Sequence, residues 1–316
     1  MVAVSMGGIE SYFVRSAEAA HTGFLAACQG EGIRVSSFAS SRIGADLHLD
    51  VARFGSPDAR RQVVLCSGSG GPASLVASAI MTGCVREGLH RDLPRGLGLA
   101  LINGVSPEGP AWSADPTAAR PKTGWNDTVL VNAEDRYAAF ERAAGRQPPR
   151  SPSNDEPQVP AWNSAVQRAV CDELFRNSRE LLFLDFRTGP GLSGEVAIQS
   201  GLADDADFAE RAARWFVDDW VGDHKAYHSA GHAPPAGGLP ALVAATSHVL
   251  VVEFGTYSVT TVLDAITRTG GAAAAPSPVE DLRRMAYPEA RAWQRFVWQS
   301  ASAVVATVLS RFAAEG

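Results

Sequence analysis

Short apolar runs alternate with longer amphipathic stretches along most of this chain. Val63 to Cys66, Leu97 to Val105, Glu180 to Phe186 and Val249 to Phe254 read as buried β-strands. Between and around them, residues 9–30, 73–88, 162–177, 204–221, about 258–268 and 288–314 read as helices, the stretch 204–221 with an acidic outer face. Apolar strands alternating with helices predict a largely parallel sheet covered on both faces. Residues 106–160 are rich in Pro, Ser, Asn and charge, which predicts long loops with one helix near 133–145.

Composition sharpens this picture by exclusion. The 316 residues are 46% hydrophobic and 20% charged, ordinary for a globular chain, and suffice for one domain over 1–316. The formal net charge is −6, with Lys and Arg scattered, so no basic stripe offers a track for nucleic acid. No stretch of about 18 apolar residues predicts a membrane span, and the start MVAVSMGGIESYF lacks the basic and apolar regions of a signal peptide. Cys28, Cys66, Cys84 and Cys171 are far apart and form no C-x-x-C pair, which suits a reduced, cytoplasmic protein.

In open α/β sheets, sites gather beyond the carboxyl ends of the strands. Three strand ends carry unusual residues: Ser67-Gly68-Ser69-Gly70-Gly71, Arg187-Thr188-Gly189 and Glu253-Phe254-Gly255. The glycine turn before the 73–88 helix could present amide N–H groups to an anion, and Ser69 could donate or even attack, although the spacing is not G-x-S-x-G. Glu253 could be a general acid or base, or a carboxylate merely paired with Arg187. Arg187 could hold an anionic group, or serve only in that ion pair. His224, His228 and His232 would share one face if their segment were helical, but Gly231 and Pro234-Pro235 favour a polar loop. His248 reads as a satisfied residue at a strand edge, and Trp215, Trp220, Trp293 and Trp298 read as packing residues.

The strand ends, taken in order, resemble the zinc carboxypeptidase superfamily, and within it a bacterial carboxypeptidase-like branch described only as a domain of unknown function. The branch's S-G-T-H-G-x-E-G is matched by Ser67-Gly68-Ser69-Gly70-Gly71-Pro72-Ala73-Ser74, and its N-P-x-G-F-A-W by Ser106 to Trp112. P-x-W-S is matched by Pro160-Ala161-Trp162-Asn163, and D-x-H-T-G by Asp185-Phe186-Arg187-Thr188-Gly189. E-F-G-T-Y stands intact as Glu253 to Tyr257, and F-Y-P-x-x-x-x-W corresponds to Ala286-Tyr287-Pro288 with Trp293. The resemblance covers about residues 10–314 and implies a mixed, mostly parallel sheet of about eight strands between helices.

The same resemblance implies a loss. The family's three zinc ligands fall on Gly70, Ala73 and Arg187, none of which can donate a lone pair to a metal in the family's way. The pair that grips a substrate carboxylate falls on Asn132 and Ala133, so only its asparagine is kept. The oxyanion arginine has Lys122 or Arg120 near its place. The general acid/base glutamate falls on Glu253. Zinc lowers the pKa of bound water from about 15.7 to about 7, worth roughly 12 kcal/mol, whereas one oxyanion donor supplies about 3 kcal/mol. Arg187 therefore cannot replace the metal in ordinary peptide hydrolysis. The expectation is an enzyme with no metal or cofactor, acting on a small amide, ester or amino-acid-derived molecule of a specialised biosynthetic pathway. Glu253, Arg187 and Ser69 would be catalytic, with Gly70, Gly71, Asn132, Tyr257 and Lys122 against the substrate. A binding protein without chemistry and a metallohydrolase with its metal moved to the His224 loop are the alternatives. A homo-oligomer is left open.

Overall fold

The computed structural model describes residues 8–40, 47–56, 58–66, 74–104, 175–189, 191–200, 205–217, 226–227, 247–258, 260–261 and 284–315. Among these residues, eight strands form one sheet: β1 (Val35–Ser40), β2 (Leu47–Phe54), β3 (Arg61–Cys66), β4 (Leu97–Asn103), β5 (Glu180–Gly189), β6 (Val196–Ser200), β7 (Ala226–Tyr227) and β8 (Ser247–Gly255). Their order is β1-β2-β4-β3-β5-β8-β6-β7. The centre, β4-β3-β5-β8, is parallel throughout, and antiparallel pairs join it to β2 and β6. This is the parallel core that the strand–helix alternation predicts, inside the mixed sheet that the resemblance implies.

The central strands are apolar on both sides because both sides are covered. On one face, Val63, Leu65, Leu99, Leu101, Leu182, Leu184, Phe186, Leu250, Val252 and Phe254 join residues from four helices in one core. These helices are α1 (Ala17–Gly30), α2 (Ser74–Arg86), α3 (Ala206–Val217) and α4 (Arg291–Ala314). Helix α2 is buried along nearly its whole length, which explains a sequence too apolar to show a polar stripe. It approaches α4 so closely at Gly83 that a Cβ there would stand 2.3 Å from the Trp298 ring. On the other face, Leu49, Val51, Val64, Ala100, Ile102, Leu181, Phe183, Val249 and Val251 form a second apolar cluster.

Several boundaries differ from the sequence reading. Residues 9–30 are not one helix. A 3-10 turn, Ile9–Tyr12, is followed by extended backbone at Phe13, and α1 starts only after Ser16, whose side chain accepts a hydrogen bond from the Ala19 N–H at 3.1 Å. That is a serine N-cap, with the preceding residues packing Phe13 against Tyr287 and Trp293. The strands β1, β2 and β6 mix polar with apolar residues, and β7 is only two residues long, so none stands out as an apolar run. Strand β7 also puts extended backbone at Ala226–Tyr227, between His224 and His228, which is incompatible with one helix carrying both histidines. His224, His228 and His232 themselves lie outside the described residues, as do the helix expected at 133–145, residues 162–174 of the helix expected at 162–177, Trp220 and Cys171; residues 175–177 form a bend and turn, not helix. Cys28, Cys66 and Cys84 are buried and form no disulfide. Among the described residues, no helix is long and apolar enough to cross a membrane.

Candidate functional site

Because β4, β3, β5 and β8 run parallel, their carboxyl ends meet along one edge of the sheet. The register across this edge sets Cys66 beside Asp185, and Arg187 beside Glu253. Side chains alternate between faces along a strand, so Leu181, Phe183, Asp185 and Arg187 of β5 share a face with Val249, Val251 and Glu253 of β8. The apolar second cluster therefore ends in three charged groups as the strands leave the core.

Those three groups are not equivalent. Asp185 is fully buried and Arg187 only 2% exposed. The Arg187 Nε–H donates to Asp185 Oδ2 at 2.8 Å, and an Nη2 N–H donates to the same oxygen. The cation is thus held by its own strand, two residues back. The Arg187–Glu253 ion pair considered from the sequence is not formed. Among the described residues, none donates a hydrogen bond to the Glu253 carboxylate or forms an ion pair with it. Burial pushes the Glu253 carboxyl up to about 7; Arg187 acts against this and the Asp185 charge adds to it. The carboxyl lies over Gly189, where a Cβ would stand 2.2 Å from Glu253 Cδ.

The rest of E-F-G-T-Y has structural work. Phe254 is fully buried on the helix-covered face. Gly255 passes so close to the Leu192 carbonyl that a Cβ would stand 2.3 Å from its oxygen. The Thr256 N–H and Oγ1–H both donate to the Gly189 carbonyl at 3.1 Å, tying the end of β8 to the end of β5. The Trp293 Nε1–H donates to the Gly255 carbonyl at 2.9 Å, and Thr188 Oγ1–H to that of Ala286 at 2.7 Å. The tail motif around Pro288 and Trp293 and the two strand-end motifs are therefore one physical unit. Within E-F-G-T-Y only Glu253, and Tyr257 at 39% exposure, have side chains without such a role.

Of the site residues expected from sequence, the structure brings Arg187 and Glu253 together on one face, and sets Tyr257 two residues past the end of β8, at the surface. Ser69, Gly70, Gly71, Lys122 and Asn132 lie outside the described residues, as do Ala73, Arg120 and Ala133. Asp185 is the site residue that the sequence reading misses, although a carboxylate two residues before an arginine in a strand must share its face. His248 bonds Asp205 through Nδ1 at 2.5 Å and lies 3.4 Å from Glu180, at the opposite end of the sheet from Glu253.

The family model "Protein of unknown function (DUF2817)" matches residues 13–117 and 158–300, well over half of the chain. The chain belongs to this family. A comparison of this DUF2817 protein with curated proteins finds no match. Solved structures similar to it include the Macrostomum lignano glutaminyl cyclase, 13% identical over 96% of this chain and 87% of that one, with a TM-score of 0.49. A leucine aminopeptidase precursor from Bacteroides thetaiotaomicron is 10% identical over 92% and 88%, with a TM-score of 0.46. An Acidobacteriales bacterium glutaminyl cyclase is 9% identical over 95% and 85%, also with a TM-score of 0.46. At such identities no residue role passes from these proteins to this DUF2817 chain.

Proposed function

We propose that this DUF2817 protein is a metal-independent enzyme that moves a proton through Glu253 on a small amide, ester or amino-acid-derived substrate. The observation that carries this reading is a partly buried carboxyl at a strand end, raised to about 7, which no described side chain pairs with. A group with that proton affinity can both give and take a proton near neutral pH. A carboxylate kept only for structure would be expected to hold the adjacent cation instead, and Arg187 is engaged elsewhere.

A zinc ion does not suit the residues at the ligand positions that the resemblance to zinc carboxypeptidases implies. Gly70 and Ala73 offer no donor atom, and the Arg187 guanidinium has no lone pair and already serves Asp185. The proposed chemistry therefore passes through the chain's own side chains and backbone amides. The Arg187–Asp185 pair supplies a fixed polar wall, close to neutral as a unit, beside which a neutral substrate group fits better than a second carboxylate. Ser69 and the amides of Gly70 and Gly71 would donate hydrogen bonds to the reacting group, while Asn132, Lys122 and Tyr257 would contact the rest of the substrate.

The test is turnover of a panel of small amides, esters and amino-acid derivatives by the unaltered protein and by Glu253→Gln. The expected result is turnover with an ionisation near pH 7 and a loss of about 100-fold to 10,000-fold in the variant. A variant that turns over substrate at the unaltered rate would remove Glu253 from the chemistry.

A further inference from the structure

Two carboxylates compete for one guanidinium at this edge of the sheet, and which of them wins determines what the other can do. Arg187 and Glu253 are register partners on neighbouring strands, about 4.8 Å apart in the hydrogen-bonding direction, with side chains on the same face. An arginine side chain is long enough to bridge that gap. A buried cation beside a carboxylate is expected to pair with it, since an unpaired buried charge is costly. The guanidinium instead turns back to Asp185, which it meets through both Nε and Nη2.

Two buried carboxyls are thus kept from carrying an unpaired charge in two different ways. Asp185 is fully buried, and the Arg187 guanidinium is a cation that meets its charge. Glu253, whose carboxyl is also buried, avoids an unpaired charge in a second way, which is to bind a proton. Of the charges in the sequence minus, plus, minus, the first two cancel and the third is left to titrate. Among the described residues, the other groups near this point are few. Cys66, on β3 beside Asp185, contributes only a weak effect at Arg187. Glu195, just before β6, accepts a hydrogen bond from the Leu192 N–H at 2.9 Å. The β6 residue opposite Glu253 is Ala197.

We propose that Asp185 is a positioning residue, which holds the Arg187 guanidinium against its own strand and so keeps Glu253 free to exchange a proton. This rests on the reading of Glu253 as the proton-transfer group and supplies the device that makes it available. Asp185 touches no substrate in this role. It acts on Glu253 through Arg187, and its loss would let the guanidinium swing across to the neighbouring strand.

The experiment is a titration without substrate, using protein labelled with 13C at the glutamate carboxyl carbons and Glu253→Gln to identify the Glu253 signal. In the unaltered protein the signal is expected to titrate near pH 7. Asp185→Asn is expected to make Glu253 at least tenfold more acidic, and much less so when Arg187→Gln is also present. A Glu253 titration that Asp185→Asn leaves in place overturns the proposal. So does a shift equally large with and without Arg187, because Asp185 would then act by its own charge. If Asp185→Asn fails to fold, the unaltered protein decides. The 15N resonance of Arg187 Nε is expected to exchange its proton slowly and stay fixed through the Glu253 titration, whereas a resonance that follows that titration overturns the proposal. None of these readouts needs turnover, so a failure of Glu253→Gln to abolish activity would remove the catalytic reading and leave this result standing.

Discussion

Gly189 lies directly beneath the Glu253 side chain: a Cβ at position 189 would stand 2.2 Å from both Cδ and Oε1 of the carboxyl. The backbone there is the extended end of β5 and not a left-handed turn, so an alanine would meet crowding and no backbone strain. Gly189→Ala is therefore expected to fold, at a cost of about 1–3 kcal/mol for overpacking, and to push the carboxyl off its seat. Thermal unfolding followed by circular dichroism should show a cooperative transition, while the Glu253 titration moves and turnover falls at least tenfold. An unchanged Glu253 titration would mean that the carboxyl's place is not set by Gly189.

The proton affinity of Glu253 has a consequence for stability whose sign is opposite to that of most carboxylates. Its folded value of about 7 lies above the ordinary 4.5, so between those pH values the folded state binds more protons than the unfolded one. Stability from this group is full below pH 4.5 and is lost as pH rises to 7. The full penalty is on the order of 3 kcal/mol. Glu253→Gln, which never ionises, is expected to raise Tm at pH 8 and to have little effect at pH 4.5. Melting curves at the two pH values test this, and equal shifts at both would contradict it.

Trp293 holds the turn after β8 by donating to the Gly255 carbonyl at 2.9 Å from a buried ring. Trp293→Phe keeps most of the packing but leaves that carbonyl without its donor. The expected cost is about 1–3 kcal/mol, measurable by urea unfolding. The same substitution should broaden the Glu253 signal, because the residue two positions on loses its anchor.

Purified protein is expected to carry no stoichiometric zinc and to release no C-terminal amino acid from peptides at an ordinary enzyme rate. The reason is the resemblance to zinc carboxypeptidases, under which the ligand positions would fall on Gly70, Ala73 and Arg187 and the carboxylate-gripping arginine on Ala133. Elemental analysis after dialysis and a peptide panel with and without chelator provide the check. About one zinc per chain that disappears in His224→Ala with His228→Ala would favour a relocated metal.

The central strands and the closing helix were legible because a continuous apolar run between amphipathic stretches fits a buried strand and little else. Strands β1 and β2 were not, because they bury polarity through partners that sequence does not pair. Asp50 in β2 is fully buried, and it is satisfied by His21 Nδ1 at 2.6 Å from α1 and by Ser37 Oγ at 2.6 Å from β1. At the site, the strand ends with Arg187 and Glu253 could be found from motif order alone. Which carboxylate takes Arg187 could not, since it depends on the side-chain conformation of Arg187 and not on the order of residues. The break at Phe13 was hidden because Ile9, Tyr12 and Phe13 have the hydrophobicity of a helix face, while Phe13 packs from extended chain.

The pairing of β5 with β8 runs without interruption from Leu181 opposite Ser247 to Gly189 opposite Gly255. At its far end, Glu180 is held by Arg61 at 2.7 Å and by Arg211 at 3.3 Å, and His248 by Asp205 at 2.5 Å. A slip of one residue would turn Glu253 into the helix-packed core and bring Phe254 or Val252 to the site. The two strands act as a ruler read from the opposite end, and the charges around Glu180 fix its zero. If Glu253 moves a proton as proposed, mutations there, about 23 Å of strand away from the carboxyl, would be errors of alignment for the chemistry even though they touch none of it.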